Sequence, residues 1–472
     1  MKLLHTSDWH LGRTLYSKKD RQEEHAAFLK WLMTALKENA ADLLIVAGDI
    51  FDTNSPSNSS QKMYYDFLLK VRDTGCQNVI IVGGNHDSPG FLNAPKEILA
   101  AINVHVIGNV SDNTEDEVFI VRDKEGNPSA IVCAVPFLRE RDLSRFTEAE
   151  SYSDRSKRIT ENIRKHYEKV AEIAEKVMLT AGNSAETAVK SSSIVISSLR
   201  SNTKEAGRKR FANNVIARNE VFLFPDIEEN DEKIMEDAEI VTKMSENEKS
   251  VNREIPVIAT GHLSVAGGKT VEDDGVRDIY IGNIECVSKE MFPLAFDYVA
   301  LGHYHIASVI DKHVRYSGSP IPMGFGEANK KKSVYLVDFD EKMPTVTTLE
   351  IPVFQKMESI RGDKSFISNR LTELKKLDSS NWVEIIYDGD DVFPDLTVWA
   401  NEMTANTKIE IIKLQNRQHL NEVLTQNENK QSLDDLDKFE VFDILLEKNN
   451  FSTERKEELK NLYQEIAFLV EN

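Results

Sequence analysis

At 472 residues the chain is too long for one ordinary hydrophobic core, so two to four domains are expected. Its content of 40% hydrophobic and 29% charged residues is globular and excludes a chain disordered throughout. A formal net charge of −20 excludes a protein that coats nucleic acid by bulk basicity, but leaves open phosphate binding by metal ions or a local basic strip.

Met1-Lys2-Leu3-Leu4 reaches His5 and Asp8 before the apolar segment of a signal peptide could form. Lys2 to Thr6 reads as a short strand leading into Ser7-Asp8-Trp9-His10-Leu11-Gly12. A helix is expected from about Asp20, which can cap it with Glu23 closing the box. Phe28, Leu29, Leu32, Met33 and Leu36 form its apolar face. Leu43-Leu44-Ile45-Val46-Ala47, closed by Gly48-Asp49, has the pattern of an interior parallel strand. A Ser/Pro/Asn-rich loop from Thr53 to Ser60 precedes a helix carrying Tyr64, Phe67, Leu68 and Val71, stopped at Gly75. Val79 to Val82 then runs into Gly83-Gly84-Asn85-His86-Asp87. This strand–helix–strand–helix–strand order predicts an α/β fold with a parallel sheet and crossover helices.

Shorter strands are expected at Val104 to Ile107, Val118 to Val121 and Ala130 to Val135. A helical pattern runs from about Arg155 to Met178, with Ile159, Ile163, Val170, Ala174 and Val177 on one side. From about Leu179 to Glu254 mixed charge and sparse apolar residues predict an inserted, partly flexible segment. Its Arg208-Lys209-Arg210 cluster is a candidate DNA-touching arm. Order returns with Pro256 to His262 and Phe296 to His305, then Val314 to Ser317 and Ser333 to Phe339, within a first domain spanning 1–350. A small α+β domain over 351–425 is expected to hold a strand at Trp382 to Tyr387, a helix at Pro394 to Met403 and a strand at Lys408 to Leu414. The tail, 430–472, reads as two short amphipathic helices joined near Asn449-Asn450. No run of about eighteen apolar residues interrupts this order, so no membrane-crossing helix is expected. Cys76, Cys133 and Cys286 lack paired spacing and read as buried thiols of a cytoplasmic protein, not as zinc ligands.

Five apolar runs end in polar motifs: Asp8-x-His10, Gly48-Asp49, Gly84-Asn85-His86-Asp87, Gly261-His262 and Gly302-His303-x-His305. A lone Asp-x-His or Gly-Asp is more often a turn than a ligand. Five of the eleven histidines falling at such ends is a different matter, because ligands of α/β sheets gather outside the carboxyl ends of strands. The donors are carboxylate, imidazole and amide oxygen without thiolate, a set that suits Mn²⁺, Fe²⁺ or Mg²⁺ better than structural zinc. Two such ions roughly 3.5–4 Å apart can polarise a phosphoryl group and activate a water for in-line attack. Asp49, the carboxylate that closes the Leu43–Ala47 run, is the candidate bridge between them. His5, His25, His105, His166, His313 and His419 lack such context and read as ordinary surface or core residues.

In this order the motifs resemble those of the calcineurin-like metallophosphoesterase superfamily. The wording of His5-Thr6-Ser7-Asp8-Trp9-His10-Leu11-Gly12, Ala47-Gly48-Asp49-Ile50-Phe51-Asp52-Thr53, Val276-Arg277-Asp278-Ile279-Tyr280-Ile281-Gly282 and Arg315-Tyr316-Ser317-Gly318-Ser319-Pro320 is similar to the SbcD family of nuclease subunits. The resemblance spans the chain except the stretch near 179–254, which is longer than the family usually carries. It implies a four-layer sandwich of two central sheets flanked by helices, a small capping domain and a helical tail. It assigns Asp8, His10, Asp49 and His305 to a first metal, and Asp49, Asn85, His262 and His303 to a second, with Mn²⁺ as the ion. It places His86 over the scissile phosphate as the catalytic residue and Asp87 behind it, orienting His86 or Asn85. It further implies 3′→5′ exonuclease action on double-stranded ends, and endonuclease action on hairpins and single-stranded DNA, in repair, recombination and replication. The implied assembly is a heterotetramer in which a homodimer docks its tail on an SbcC-type coiled-coil ATPase that supplies ATP hydrolysis.

Asp52 departs from archaeal relatives, which carry a histidine there, and is given no role. Lys330-Lys331-Lys332 is a basic run open to a phosphate backbone or to solvent. Two competing readings are a phosphatase acting on phosphoproteins or small phosphoesters, and a non-enzymatic DNA-end tether. Against the first, Gly48-Asp49 lacks the Arg-Gly that follows it in protein phosphatases of the superfamily.

Overall fold

A computed structural model describes residues 1–143, 152–201, 255–271, 286–340, 344–389, 391, 393, 395–416 and isolated positions between 446 and 463. For 152, 153 and 181–201 only the backbone path is described. The basic cluster at 208–210, the 276–282 motif, His419 and nearly all of the expected tail lie outside the described residues. Two units result, Met1–Glu358 and Ser359–Asn472.

The strands of the large unit are β1 (Lys2–Thr6), the short hairpin β2 (Thr14–Leu15) and β3 (Lys19–Asp20), β4 (Leu43–Ala47), β5 (Asn78–Val82), β6 (Val104–Ile107), β7 (Val118–Arg122), β8 (Pro128–Cys133), β9 (Val257–His262), β10 (Tyr298–Gly302), β11 (Ser308–Val309), β12 (Val314–Tyr316), β13 (Ser333–Asp338) and β14 (Thr345–Glu350). They build two six-stranded sheets, ordered β14-β13-β1-β4-β5-β6 and β11-β12-β10-β9-β8-β7. In the first sheet β1, β4, β5 and β6 are parallel, with Leu3 opposite Leu43 and Ile45 opposite Ile80. In the second, β8, β9, β10 and β12 are parallel.

Alternation along each strand decides what lies between the sheets. Leu43 and Ile45 of β4, with Ile80 and Val82 of β5, face Val132, Ile258, Tyr298 and Ala300 of the second sheet. Leu44 and Val46 point the other way, onto α1 (Gln22–Glu38) and α2 (Asn58–Lys70) through Phe28, Leu32, Leu36, Phe67 and Leu68. The outer face of the second sheet, through Cys133, Ala259 and Leu301, packs on a long helix whose Ile159, Ile163, Tyr167, Val170 and Ala174 repeat at helical spacing. Helix, sheet, sheet and helix make the four layers.

The long helix spans Tyr152–Ser201, well beyond the expected end near Met178; its last turns contain no proline to stop it. It is the sixth helix, after α3 (Pro89–Asn93), α4 (Lys96–Ala100) and α5 (Glu140–Leu143), and is called α6. The expected capping box of α1 does not form. Asp20 instead accepts from the Gln22 amide at 2.7 Å, and the N-cap position belongs to Arg21, a buried side chain whose guanidinium grips Glu24. Cys286 is exposed, unlike Cys76 and Cys133.

The small unit is a three-stranded sheet of β15 (Lys356–Gly362), β16 (Asn381–Tyr387) and β17 (Ile409–Asn416) in that order, with β16 and β17 parallel. It carries α7 (Lys364–Lys376) and α8 (Leu396–Thr404). β14, β15 and α7 were not expected from the sequence. α7 is capped by Asp363, whose carboxylate accepts from the Phe366 amide at 2.7 Å, and it buries Ile367, Leu371 and Leu374.

Candidate metal centre

The five polar motifs follow β1, β4 and β5 of the first sheet and β9 and β10 of the second, and the packing of the sheets brings them together. Between the ends of β10 and β4 there is no room for a side chain: a Cβ on Gly302 would collide with the Ala47 carbonyl oxygen. The loops are then tied to one another. Asp8 and His10 donate their amides to the carbonyls of Gly48 and Asp49, each at 3.0 Å. The His86 amide donates to Asp49 Oδ1 at 2.9 Å, and the His303 amide to Asp8 Oδ1 at 2.9 Å. Asp8, His10, Asp49 and His303 all have positive φ, at 51°, 46°, 49° and 108°. Such backbone costs about 1–3 kcal/mol per residue and persists only where the surroundings over-determine it. The apolar interface beneath supplies that support, at roughly 1.5–3 kcal/mol for each large apolar side chain it buries.

Asp8, His10, Asp49, His262, His303 and His305 are buried, and Asn85 is half-buried. His10 and His305 point their Nε2 atoms at each other across 3.1 Å. Asp49 Oδ2 stands 3.6 Å from His10 Nε2 and 3.3 Å from His262 Nε2, and His262 Nε2 is 2.9 Å from the Asn85 side-chain oxygen. One carboxylate oxygen therefore faces both donor sets. Asp8, His10 and His305 form one potential ligand group, and Asp8, Asp49 and His262 another, each with donor atoms within 4.8 Å of one another. Carboxylate, imidazole and amide donors converging without a thiolate are a fit for divalent metal ions.

The electrostatics agree. Burial pushes His10 down to about 4, so it stands neutral and able to donate a lone pair. Burial opposes the charge on Asp49, but His262 and His10 beside it hold its carboxyl well below the usual range. Burial likewise opposes a charged His262, yet the Asp49 carboxylate overrides this and lifts it to about 9. The negative potential that draws a proton to His262 would draw a cation to the same place.

A family profile for calcineurin-like phosphoesterases matches residues 1–134. A second profile (SbcD_C), described as the type 5 capsule protein repressor C-terminal domain, matches residues 353–450. The chain is 29% identical over 468 residues to SbcD, the D component of the nuclease SbcCD, of Escherichia coli K12, covering 98% of this chain and 97% of that one. Proteins of the same description from Rhodobacter capsulatus and Bacillus subtilis are 31% and 28% identical, each alignment covering 72% of this chain and 66% of the relative. The chain belongs to the SbcD family.

Several residues of this SbcD-family centre were not found by reading the sequence. Asp52 Oδ1 lies 3.3 Å from His10 Nδ1 and takes the Arg13 guanidinium at 2.9 Å. Glu327, wholly buried, stands 3.6 Å from His305 Nδ1 and is paired with Lys332. Lys332 is therefore neither a solvated turn residue nor a DNA contact; it is a buried counter-ion, while exposed Lys331 pairs with Glu350 at 2.8 Å. Arg139 donates to the carbonyls of Asp87 at 3.1 Å and Gly84 at 3.5 Å, and the Phe137 amide donates to the Gly83 carbonyl at 2.8 Å. Together they clamp the loop that carries Asn85 and His86. None of these residues has a spacing relation to the ligands; they act through space.

Asp87 plays a part different from the one expected. Its carboxylate accepts from the amides of Gly84, Ile50 and Phe51 at 2.9, 3.1 and 3.0 Å. It thereby orients the two loops, not the ring of His86 or the amide of Asn85. Burial, with Asp49 nearby, pushes it up to about 7. Two of the context-free histidines are structural: His166 meets buried Glu117 at 2.7 Å, and His5 bonds the Tyr298 hydroxyl and the Leu301 carbonyl.

Among the described residues no helix is long and apolar enough to cross a membrane.

Proposed function

We propose that the chain is a metal-dependent phosphodiesterase that cuts DNA, the nuclease subunit of an SbcCD-type assembly. The observation that carries this is the position of Asp49 Oδ2 between His10 Nε2 and His262 Nε2, at 3.6 and 3.3 Å. Asp8, His10, Asp49 and His305 would hold one ion, and Asp49, Asn85, His262 and His303 the other. The ions, most readily Mn²⁺ with this donor set, supply Lewis-acid polarisation of the phosphate and a nucleophilic water at neutral pH.

The chain's own residues set the rest. His86 Nδ1 lies 2.8 Å from the Asp52 carbonyl oxygen, which can only accept, so Nδ1 carries a proton. Nε2 is then the atom that takes up a second proton and passes it to the departing oxygen, or steadies charge on the phosphate as an imidazolium. A ring nitrogen of His86 lies within 4.8 Å of donor atoms on His10 and Asp49, which supports a role for it beside the phosphate. Arg139 and Asp87 hold that loop still.

DNA as substrate rests on family membership, as do 3′→5′ exonuclease action on duplex ends, endonuclease action on hairpins and single strands, and roles in repair, recombination and replication. So does assembly as a homodimer with an SbcC-type ATPase in the cytoplasm, the tail beyond residue 430 serving as the docking segment. The reading is tested by incubating the Mn²⁺-loaded chain with a DNA hairpin and with a small aryl phosphate. Cleavage of the hairpin is expected; hydrolysis of the aryl phosphate alone would make the protein a phosphatase.

A further inference from the structure

Resting on the two-metal reading, we infer that Glu327 and Asp52 are positioning residues that make the Asp8–His10–His305 position the tighter of the two. A metal-bound histidine presents one ring nitrogen, and whatever meets the other nitrogen fixes its tautomer and basicity. At this position both imidazoles are backed by carboxylates. His10 Nδ1 has Asp52 Oδ1 at 3.3 Å, and His305 Nδ1 has Glu327 Oε1 at 3.6 Å.

Glu327 is arranged for this task. Its Oε2 is tied down by Lys332 Nζ and by the Met323 amide at 3.2 Å, while buried Oε1 makes no hydrogen bond among the described residues and lies nearest His305. Lys332 Nζ also donates to the His305 carbonyl at 2.9 Å and to Ser319 Oγ at 2.8 Å, so the pair holds His305 at both backbone and ring. A buried ion pair seldom stabilises a fold more than apolar residues of its size would. Its presence here is explained by the ligand it steadies. Asp52 is held in the same way, by Arg13 at 2.9 Å.

The other position is furnished differently. His262 Nδ1 meets a neutral acceptor, the Ala47 carbonyl at 3.0 Å, and Asn85 offers an uncharged amide oxygen. Weaker backing and a neutral donor give a weaker pull on a cation.

Calorimetric titration of the metal-free full-length chain with Mn²⁺ tests the ranking. Two binding steps are expected. Glu327→Gln keeps the volume and removes the charge, and should weaken the tighter step roughly 10- to 100-fold with the weaker step unmoved. Asp52→Asn, at a partly exposed side chain, should move the same step and decides the matter should Glu327→Gln fail to fold. Asn85→Ala should remove the weaker step alone. A tight step unmoved by the carboxylate variants overturns the positioning role, and loss of the tight step in Asn85→Ala overturns the ranking. A wild-type chain that takes up no Mn²⁺ overturns the metal centre itself, a result distinct from either.

Discussion

The first sheet sends carboxylates to the centre and the second sends only imidazoles. Asp8, Asp49 and Asn85, with His10 and His86, follow β1, β4 and β5, whereas β9 and β10 end in His262, His303 and His305. The first set is laced together by backbone bonds such as Asp8 N to Gly48 O and Leu11 N to Ile50 O at 2.9 Å. The second set joins it through a few contacts, chiefly His262 to the Ala47 carbonyl and the His303 amide to Asp8. Neither sheet alone holds all the proposed ligands. Metal binding and the packing of the two sheets are therefore one equilibrium seen from two sides.

That comparison can be broken at its centre first. Asp49→Asn takes the shared carboxylate from the first sheet, and Mn²⁺ titration should lose both steps, with cleavage falling to background. His262→Ala, on the second sheet, should lose mainly one step; two undisturbed steps in Asp49→Asn would show that the sheets do not share a ligand. His86→Ala should separate chemistry from assembly, lowering hairpin cleavage by roughly 10²–10⁴-fold while both steps survive. Unchanged cleavage would remove His86 from the mechanism.

Smaller effects sharpen the picture. Arg139→Met releases the carbonyls of Gly84 and Asp87 and should cost roughly 10- to 100-fold in cleavage, with a matching loss in the step that uses Asn85. Gly302→Ala presses a methyl group against the Ala47 carbonyl where the sheets meet. It should cost about 1–3 kcal/mol of stability in denaturant unfolding. Excess Mn²⁺ should restore part of it, since an ion at a hundred times its Kd stabilises by about 2.7 kcal/mol per site. Equal stability with and without Mn²⁺ would uncouple the sheets from the metals.

The candidate ligands were legible because each falls in a short motif closing an apolar run, so strand and candidate site are written in the same few letters. The parallel order of β1, β4 and β5 was legible as an α/β fold, whereas the four-layer sandwich came from the family resemblance. Supporting residues were not legible. Asp52, Glu327 and Arg139 meet their partners across the fold, and Lys332 stands in a run of three lysines that looks solvated. β14 escaped notice because Thr345–Glu350 exposes most of its residues at the sheet edge, and α7 because its three buried positions sit among charged ones. The α1 cap was misplaced because a buried Arg21–Glu24 pair outcompetes a surface carboxylate at that turn.

Asp87 gives the centre a clock. The three amides its carboxylate holds lie on two different strand ends, Gly84 on one, Ile50 and Phe51 on the other. Oδ2 takes both Gly84 and Ile50 and so bridges the two loops, and Oδ1 takes Phe51, so parting the loops strips donors from a buried carboxylate. Deuterium should therefore enter these positions together, at the rate at which the loops part, so that three peaks in an exchange spectrum time the opening of the phosphate's seat.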